Sequence, residues 1–239
     1  MSRAEQLAAA LVAVEARLAA ACAAAGRPRA DVLLLAVTKT WPLSDVEHLQ
    51  GLGLTDFAEN RDQEAADKAR ALPGVRWHFV GQVQTNKAAG VAGCADVVHA
   101  LDRPSLATAL SRGAVRAGRA LDVLLQVRLD VDATPAPSAG PGGGRGGAAP
   151  DDVADLAALT AGLEGLRLAG VMGIAPLGED PRPAFDRLAA VAARVRADHP
   201  GAVAVSAGMS GDLEQAVAAG STIVRVGTAL LGRRSPPGR

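Results

Sequence analysis

Val32-Leu33-Leu34-Leu35-Ala36-Val37-Thr38-Lys39 decides how this chain is read. An unbroken apolar run is the signature of a strand buried on both faces, as in a parallel sheet. Its far end emerges at a lysine. Seven more runs follow, at 55–58, 76–80, 96–100, 122–129, 166–174, 202–206 and 222–227. Helical patterns lie between them, near 44–52, 61–71, 86–93, 104–118, 151–163, 183–197 and 211–219. Strands alternating with amphipathic helices predict a parallel sheet covered by helices. Eight units in 239 residues predict an α/β fold, a single (β/α)8 TIM-type barrel. A doubly wound open sheet is the competing arrangement.

Around this frame, Leu7, Leu11, Val14 and Leu18 recur at helical spacing and Gly26 offers a stop, so an extra N-terminal helix precedes the barrel. Ser44-Asp45-Val46-Glu47 reads as a capping box. Asp45, Glu47 and the other helix carboxylates read as solvated faces. The whole of 1–239 reads as one domain. The stretch 131–150, rich in Pro, Ala, Gly and Ser, reads as a flexible insertion after the fifth strand, and 233–239 as a loose tail.

Composition narrows the function. Acidic and basic residues balance at 25 each, so no global field favours nucleic acid or an anionic membrane. Aromatics are 2 % and tyrosine is absent, which removes stacking platforms for single strands. Two cysteines make no disulfide framework, and His48, His78, His99 and His199 lack zinc-ligand spacing. Arg3, Glu5, Glu15 and Arg17 break the N-terminal apolar pattern, against a signal peptide, and no run approaches the roughly 18 apolar residues of a membrane span. A cytoplasmic monomer is expected.

Of the 25 basic residues only Lys39, Lys68 and Lys87 are lysine. Arginine keeps its charge, whereas a lysine amine can lose its proton and attack a carbonyl. Lys39, at a strand end, is therefore a candidate Schiff-base lysine. A barrel gathers its site at the C-terminal ends of the strands. Glu59 and Asn60 follow run two, Gly81 run three, and Pro176 lies beyond run six. Ser206-Ala207-Gly208-Met209-Ser210-Gly211 follows run seven, and Gly227-Thr228 ends run eight. Loops after strands seven and eight commonly hold phosphate in such barrels, with glycines admitting backbone amides and the helix near Gly211 pointing its N-terminus inward. Ordinary turn chemistry is the alternative.

Arg225 interrupts Ile223-Val224-Arg225-Val226-Gly227, and strand alternation puts Ile223, Arg225 and Gly227 on one face. It lies either in the lumen below the phosphate loops or in a structural ion pair. His78 is either a hydrogen-bonded core residue or a pocket group, and Gln84, Asn86 and Lys87 either cap a helix or wall the pocket. Met172 by itself reads as core. A lysine, a phosphate cradle and a lumenal arginine together suggest pyridoxal 5′-phosphate (PLP), held as an aldimine on Lys39 with its ring nitrogen toward Arg225. Arginine only donates, so that nitrogen would stay unprotonated.

At these residues the chain resembles the PLP homeostasis proteins, the YggS/PROSC-like family, whose barrel is similar to the N-terminal domain of alanine racemase. The blocks are Leu35-Ala36-Val37-Thr38-Lys39-Thr40, Phe57-Ala58-Glu59-Asn60, Trp77 through Lys87, Ser206 through Ser210, and Val224-Arg225-Val226-Gly227-Thr228. The resemblance implies a covalent aldimine at Lys39 and phosphate contacts from Ser206, Gly208, Gly227 and Thr228. It also implies Arg225 at the pyridine nitrogen, and Asn60, His78 and Met172 lining the pocket. The chain departs from the family in having Trp41 where a second lysine often stands, Ala58 for a glycine, and Ser210-Gly211-Asp212 closing the phosphate loop. A short Lys-x-Gly-like stretch of the family corresponds to Arg145-Gly146-Gly147.

The resemblance implies a carrier that holds PLP and releases it to PLP-requiring apoenzymes, without turnover of its own. A PLP-dependent racemase or decarboxylase is the alternative. The racemases of this fold use a tyrosine base and a second domain, and this chain has no tyrosine. A PLP-free Schiff-base aldolase is the third reading.

Overall fold

The eight apolar runs become eight parallel strands closed on themselves: β1 (Leu33–Val37), β2 (Asp56–Glu59), β3 (Arg76–Phe79), β4 (Val97–Leu101), β5 (Leu121–Val127), β6 (Leu166–Gly173), β7 (Ala204–Ser206) and β8 (Ile223–Val226). Each pairs with its sequence neighbours, and β1 closes on β8 with Leu35 opposite Arg225. The computed structural model describes residues 1–130 and 146–233. The open-sheet alternative is excluded, because a doubly wound sheet keeps two unpaired edges and this one has none.

Helices cover the outside: α1 (Arg3–Ala24), α2 (Leu43–Gly51), α3 (Asp62–Ala71), α4 (Ala88–Cys94), α5 (Pro104–Arg116), α6 (Val153–Ala161), α7 (Arg182–Asp198), α8 (Leu213–Ala218) and α9 (Thr228–Leu231). The period-two alternation of each strand separates two layers. Leu34, Ala36, Val224 and Val226 face outward to α1, α2, α8 and α9. Leu35, Ala58, Val97, Leu124, Met172 and Ile223 pack in the lumen. The lumen is filled by medium-sized side chains because the sequence has almost no aromatics to place there.

The alanine-rich α1 follows from high helix propensity and buries Leu7, Val14 and Leu18 against the β1–β8 sector. Its length and composition alone would let it cross a membrane, contrary to the sequence count. Here, though, its apolar stripe is packed onto the barrel. Gly26 follows the cap residue Ala25 at φ 65°, a left-handed position that suits glycine.

Four expectations change. The capping box lies at Ser2 and Glu5 rather than Ser44, because Pro42 takes the N-cap of α2 and puts Ser44 inside the helix. Asp45 is not solvated; it is buried and gripped by Arg3 Nη2 at 2.6 Å. The helix expected near Gly211 starts at Leu213, with Asp212 as its N-cap. The end of the expected insertion returns to the sheet. Ala148 bridges Val127, donates to the Gln126 carbonyl at 2.8 Å and accepts from Arg128 N at 2.9 Å. The rest of that insertion, 131–145 with Arg145, and the tail from 234 onward lie outside the described residues.

Candidate functional site at the C-terminal rim of the barrel

Lys39 stands two residues beyond β1, in the alternation that places Leu33, Leu35 and Val37 toward the lumen, and it is exposed. Leu35 is level with Arg225, so Lys39 sits about 13 Å higher along the strand direction. The turn around it is unusual. Thr40 has φ 66°, the sole non-glycine positive φ among the described residues. A left-handed L-residue costs about 1–2 kcal/mol. A hydrogen bond to a charged group contributes about 1.5–3 kcal/mol, and here the Thr40 amide donates to Glu64 Oε1. That bond is large enough to hold the turn. On the other side of Lys39, Lys68 Nζ donates to the Thr38 carbonyl at 2.9 Å, to Glu59 Oε1 at 2.6 Å and to Glu64 Oε1 at 2.9 Å. Burial pushes the Glu59 carboxyl up, with Lys68 and the Thr38 hydroxyl pulling it back.

Inside the lumen Arg225 is buried. Its Nη1 donates to Ser206 O and Oγ, both at 2.7 Å, and its Nη2 to Gly173 O at 2.9 Å. All three acceptors are neutral, and no carboxylate pairs with Arg225 among the described residues. Burial pushes its pKa down to about 10, with distant Asp212 opposing. Ser206 Oγ lies 3.0 Å from His99 Nδ1, His99 Nε2 lies 2.8 Å from His78 Nδ1, and His78 Nε2 lies 2.9 Å from Asp56 Oδ1.

One assignment of protons satisfies every link in that chain. Ser206 donates to His99, His99 Nε2–H to His78, and His78 Nε2–H to ionised Asp56, with both histidines neutral. The pKa directions agree. Burial drives His99 well below its ordinary value and His78 below its own, Asp56 partly offsetting the latter. Burial raises Asp56, but the hydrogen bonds from His78 and Thr55 outweigh it and the net shift is downward.

The loop after β7 closes the rim. Gly208 takes φ 87°, and a Cβ there would come within 2.6 Å of Ala216 Cβ, so the tight turn onto α8 requires glycine. Met209 N donates to Asp212 Oδ1 at 2.6 Å, and Ser210 Oγ accepts from Ala229 N at 3.1 Å, tying this loop to α9. Arg17 of α1 braces it from outside, donating to Ser210 O at 2.6 Å and pairing with Glu214. Thr228 opens α9 and is exposed, and Gly227 approaches the Val37 carbonyl closely enough that a Cβ would sit 3.3 Å away. Across the rim, Asn60 Oδ1 is buried without a hydrogen-bond partner. Gly81 is pressed so close to the Asn60 backbone that any Cβ would overlap it.

Comparison with known proteins places this arrangement. The sequence model of the alanine racemase N-terminal domain matches residues 10–235. The pyridoxal phosphate homeostasis protein of Mycobacterium tuberculosis H37Rv is 45 % identical over 97 % of this chain and 94 % of its own. That of Escherichia coli K12 is 36 % identical over 94 % and 95 %. The chain belongs to the pyridoxal phosphate homeostasis protein family. Among solved structures, PipY of Synechococcus elongatus with PLP bound is 32 % identical, with TM-score 0.76 over 97 % of this chain and 100 % of that one. Alanine racemase from Corynebacterium glutamicum shares the fold at 13 % identity and TM-score 0.67, over 92 % of this chain and 60 % of that one.

In this member of the family, the structure brings Lys39, Asn60, Gly208, Gly227 and Thr228 to the C-terminal rim, with Arg225 and Ser206 in the lumen at that end. Met172 packs in the lumen layer next to Ser206 in register. His78 sits deeper, as a hydrogen-bonded core residue joined to Arg225 through His99 and Ser206. Lys87 pairs with Asp62 at 2.9 Å on the surface. Sequence reading missed His99 and Asp56, which touch His78 across 21 and 22 positions of chain, and it missed the Glu59–Lys68–Glu64 cluster. A buried strand carrying His99 amid Val97, Val98 and Ala100 was the available signal.

Proposed function

We propose that the chain holds PLP at this rim, covalently attached through Lys39 Nζ, and hands it to PLP-requiring apoenzymes without turning over a substrate itself. The observation that carries the reading is Arg225, a buried cation whose protein partners are all neutral oxygens. A lone buried charge is costly, and a bound acceptor at the barrel mouth would offset that cost. The orphaned Asn60 Oδ1 is a second unfinished polar group on the same rim. PipY, with PLP bound and alike over nearly the whole chain, supports the same ligand here.

When bound, PLP supplies an aldehyde that captures an amine and a ring that can draw electrons from it. The protein's residues set how far that goes. Arg225 offers only donors, so it favours an unprotonated ring nitrogen and a weak electron sink. Ser206 keeps its hydroxyl between Arg225 and His99, so its part in this reading is to orient Arg225 rather than to reach phosphate. Gly208, Gly227 and Thr228 line the phosphate end. The chain has no tyrosine to act as a racemase base.

Titration with PLP, followed by mixing with an apoenzyme, tests this. We expect visible absorbance on binding and recovery of apoenzyme activity. Sustained racemisation or decarboxylation of amino acids by the purified protein would contradict the carrier reading.

A further inference from the structure

We infer that Glu64, acting with Lys68, is a positioning residue that fixes the backbone of Lys39 without touching ligand. The inference rests on Lys39 being the attachment point. One carboxylate oxygen, Glu64 Oε1, accepts both from the amide of Thr40 and from Lys68 Nζ, while Lys68 also donates to the carbonyl of Thr38. The residues on either side of Lys39 are thus gripped by a pair one turn apart on α3. Neither belongs to the lumen.

The grip has a reason. Thr40 is β-branched and left-handed at φ 66°, a conformation such residues avoid. Without an acceptor for its amide the turn relaxes toward ordinary φ. The peptide that follows Lys39 then rotates, and the lysine leaves the strand alternation that aims it at the mouth of the barrel. Thr40 Oγ1 adds a local bond to the Lys39 carbonyl. The buried Glu59 holds Lys68 from below at 2.6 Å, so the clamp is anchored in the sheet rather than in α3 alone. The pair therefore serves geometry: it holds the Lys39 backbone in place in the absence of PLP and sets how readily the cofactor is captured.

Glu64→Ala, Glu64→Gln, Thr40→Asn and the double variant E64A/T40N test the clamp, each read by PLP dissociation constant, by the rate of borohydride trapping at Lys39, and by amide hydrogen exchange at Thr40 in the PLP-free protein. Asn tolerates the left-handed region, so it removes the need for the clamp. E64A should weaken PLP binding and slow trapping by about fivefold to thirtyfold, the factor that the cost of a left-handed residue converts to, and should expose the Thr40 amide. E64Q keeps an acceptor oxygen and should stay within about threefold of wild type. E64A/T40N should recover most of the loss. Wild-type binding and trapping in E64A would overturn the inference, as would a loss in E64A that T40N leaves untouched. Wild-type protein that is not trapped at Lys39 at all would defeat the cofactor reading instead. That result is distinguishable, because the Thr40 exchange comparison reads the clamp in PLP-free protein.

Discussion

The two ends of the barrel differ in the polar groups they leave unmet. At the N-terminal end the carboxylates of Asp56, Asp96 and Asp122 meet partners from their own fold. Asp122 accepts from Arg76 and from Arg167 Nε at 2.7 Å, Asp96 accepts from Trp77 N at 2.8 Å and from Arg119, and Asp56 accepts from His78 and Thr55. At the C-terminal end, Asn60 Oδ1 has no partner, Arg225 meets only neutral oxygens and Thr40 sits in a left-handed conformation. A protein without a ligand at that rim would have been better served by the N-terminal pattern. The unfinished end is where the fold keeps capacity for a partner, as polar groups left strained or unmet in folded proteins tend to mark function.

Lys39→Ala gives the largest expected break in this contrast: covalent capture of PLP and its visible absorbance disappear, while thermal stability stays close to wild type because Lys39 is exposed. Retained absorbance in the variant would contradict the assignment. Arg225→Met comes next. Removing a donor from a charged hydrogen bond to ligand should weaken PLP binding by about tenfold to a hundredfold. In the PLP-free protein the loss of a buried charge without a counter-ion offsets the loss of its donors to Ser206 O and Gly173 O, so the melting temperature should move less than ligand affinity does. Calorimetry of the free protein with PLP titration separates the two effects. Asp122→Asn makes the reciprocal test at the other end: a lower melting temperature with unchanged PLP affinity.

The histidine chain predicts a pH dependence. His78 and His99 have folded pKa values below the ordinary 6.5. Their contribution to stability is therefore complete above pH 6.5. It is lost as pH falls from there toward the depressed values, because the unfolded chain takes up protons that the folded lumen refuses. Melting temperature should drop between about pH 7.5 and about pH 5.5, and less steeply in His99→Gln. A flat profile would argue against neutral histidines. Arg17→Ala should give the smallest effect. It frees the brace on the loop after β7 and should raise the PLP dissociation rate by no more than about fivefold, since Arg17 is part-exposed and surface pairs contribute little.

The fold was legible because buried parallel strands are written as apolar runs, and residues that break such runs show themselves. Lys39 ends one such run and Arg225 interrupts another. What stayed hidden depends on register or on chain reversal. Nothing near His99 in sequence announces Ser206, which lies 107 positions away and meets it only once β4 and β7 close into one lumen. Ser44 looked like a cap because Ser-x-x-Glu fits the pattern, yet Pro42 already supplies the extended backbone before α2. Asp45 carries no local sign of its burial, because the group that covers it is Arg3 at the start of α1, 42 positions away. The short α9 after Gly227 left no periodic signal in its four residues.

The contrast between the ends comes to a point at one atom, Lys39 Nζ. Intact-mass measurement of the PLP-loaded protein after borohydride reduction, with peptide mapping, reads it directly. The account predicts a single adduct per chain, on Lys39. An adduct on Lys68 or Lys87, or none at all, would contradict it.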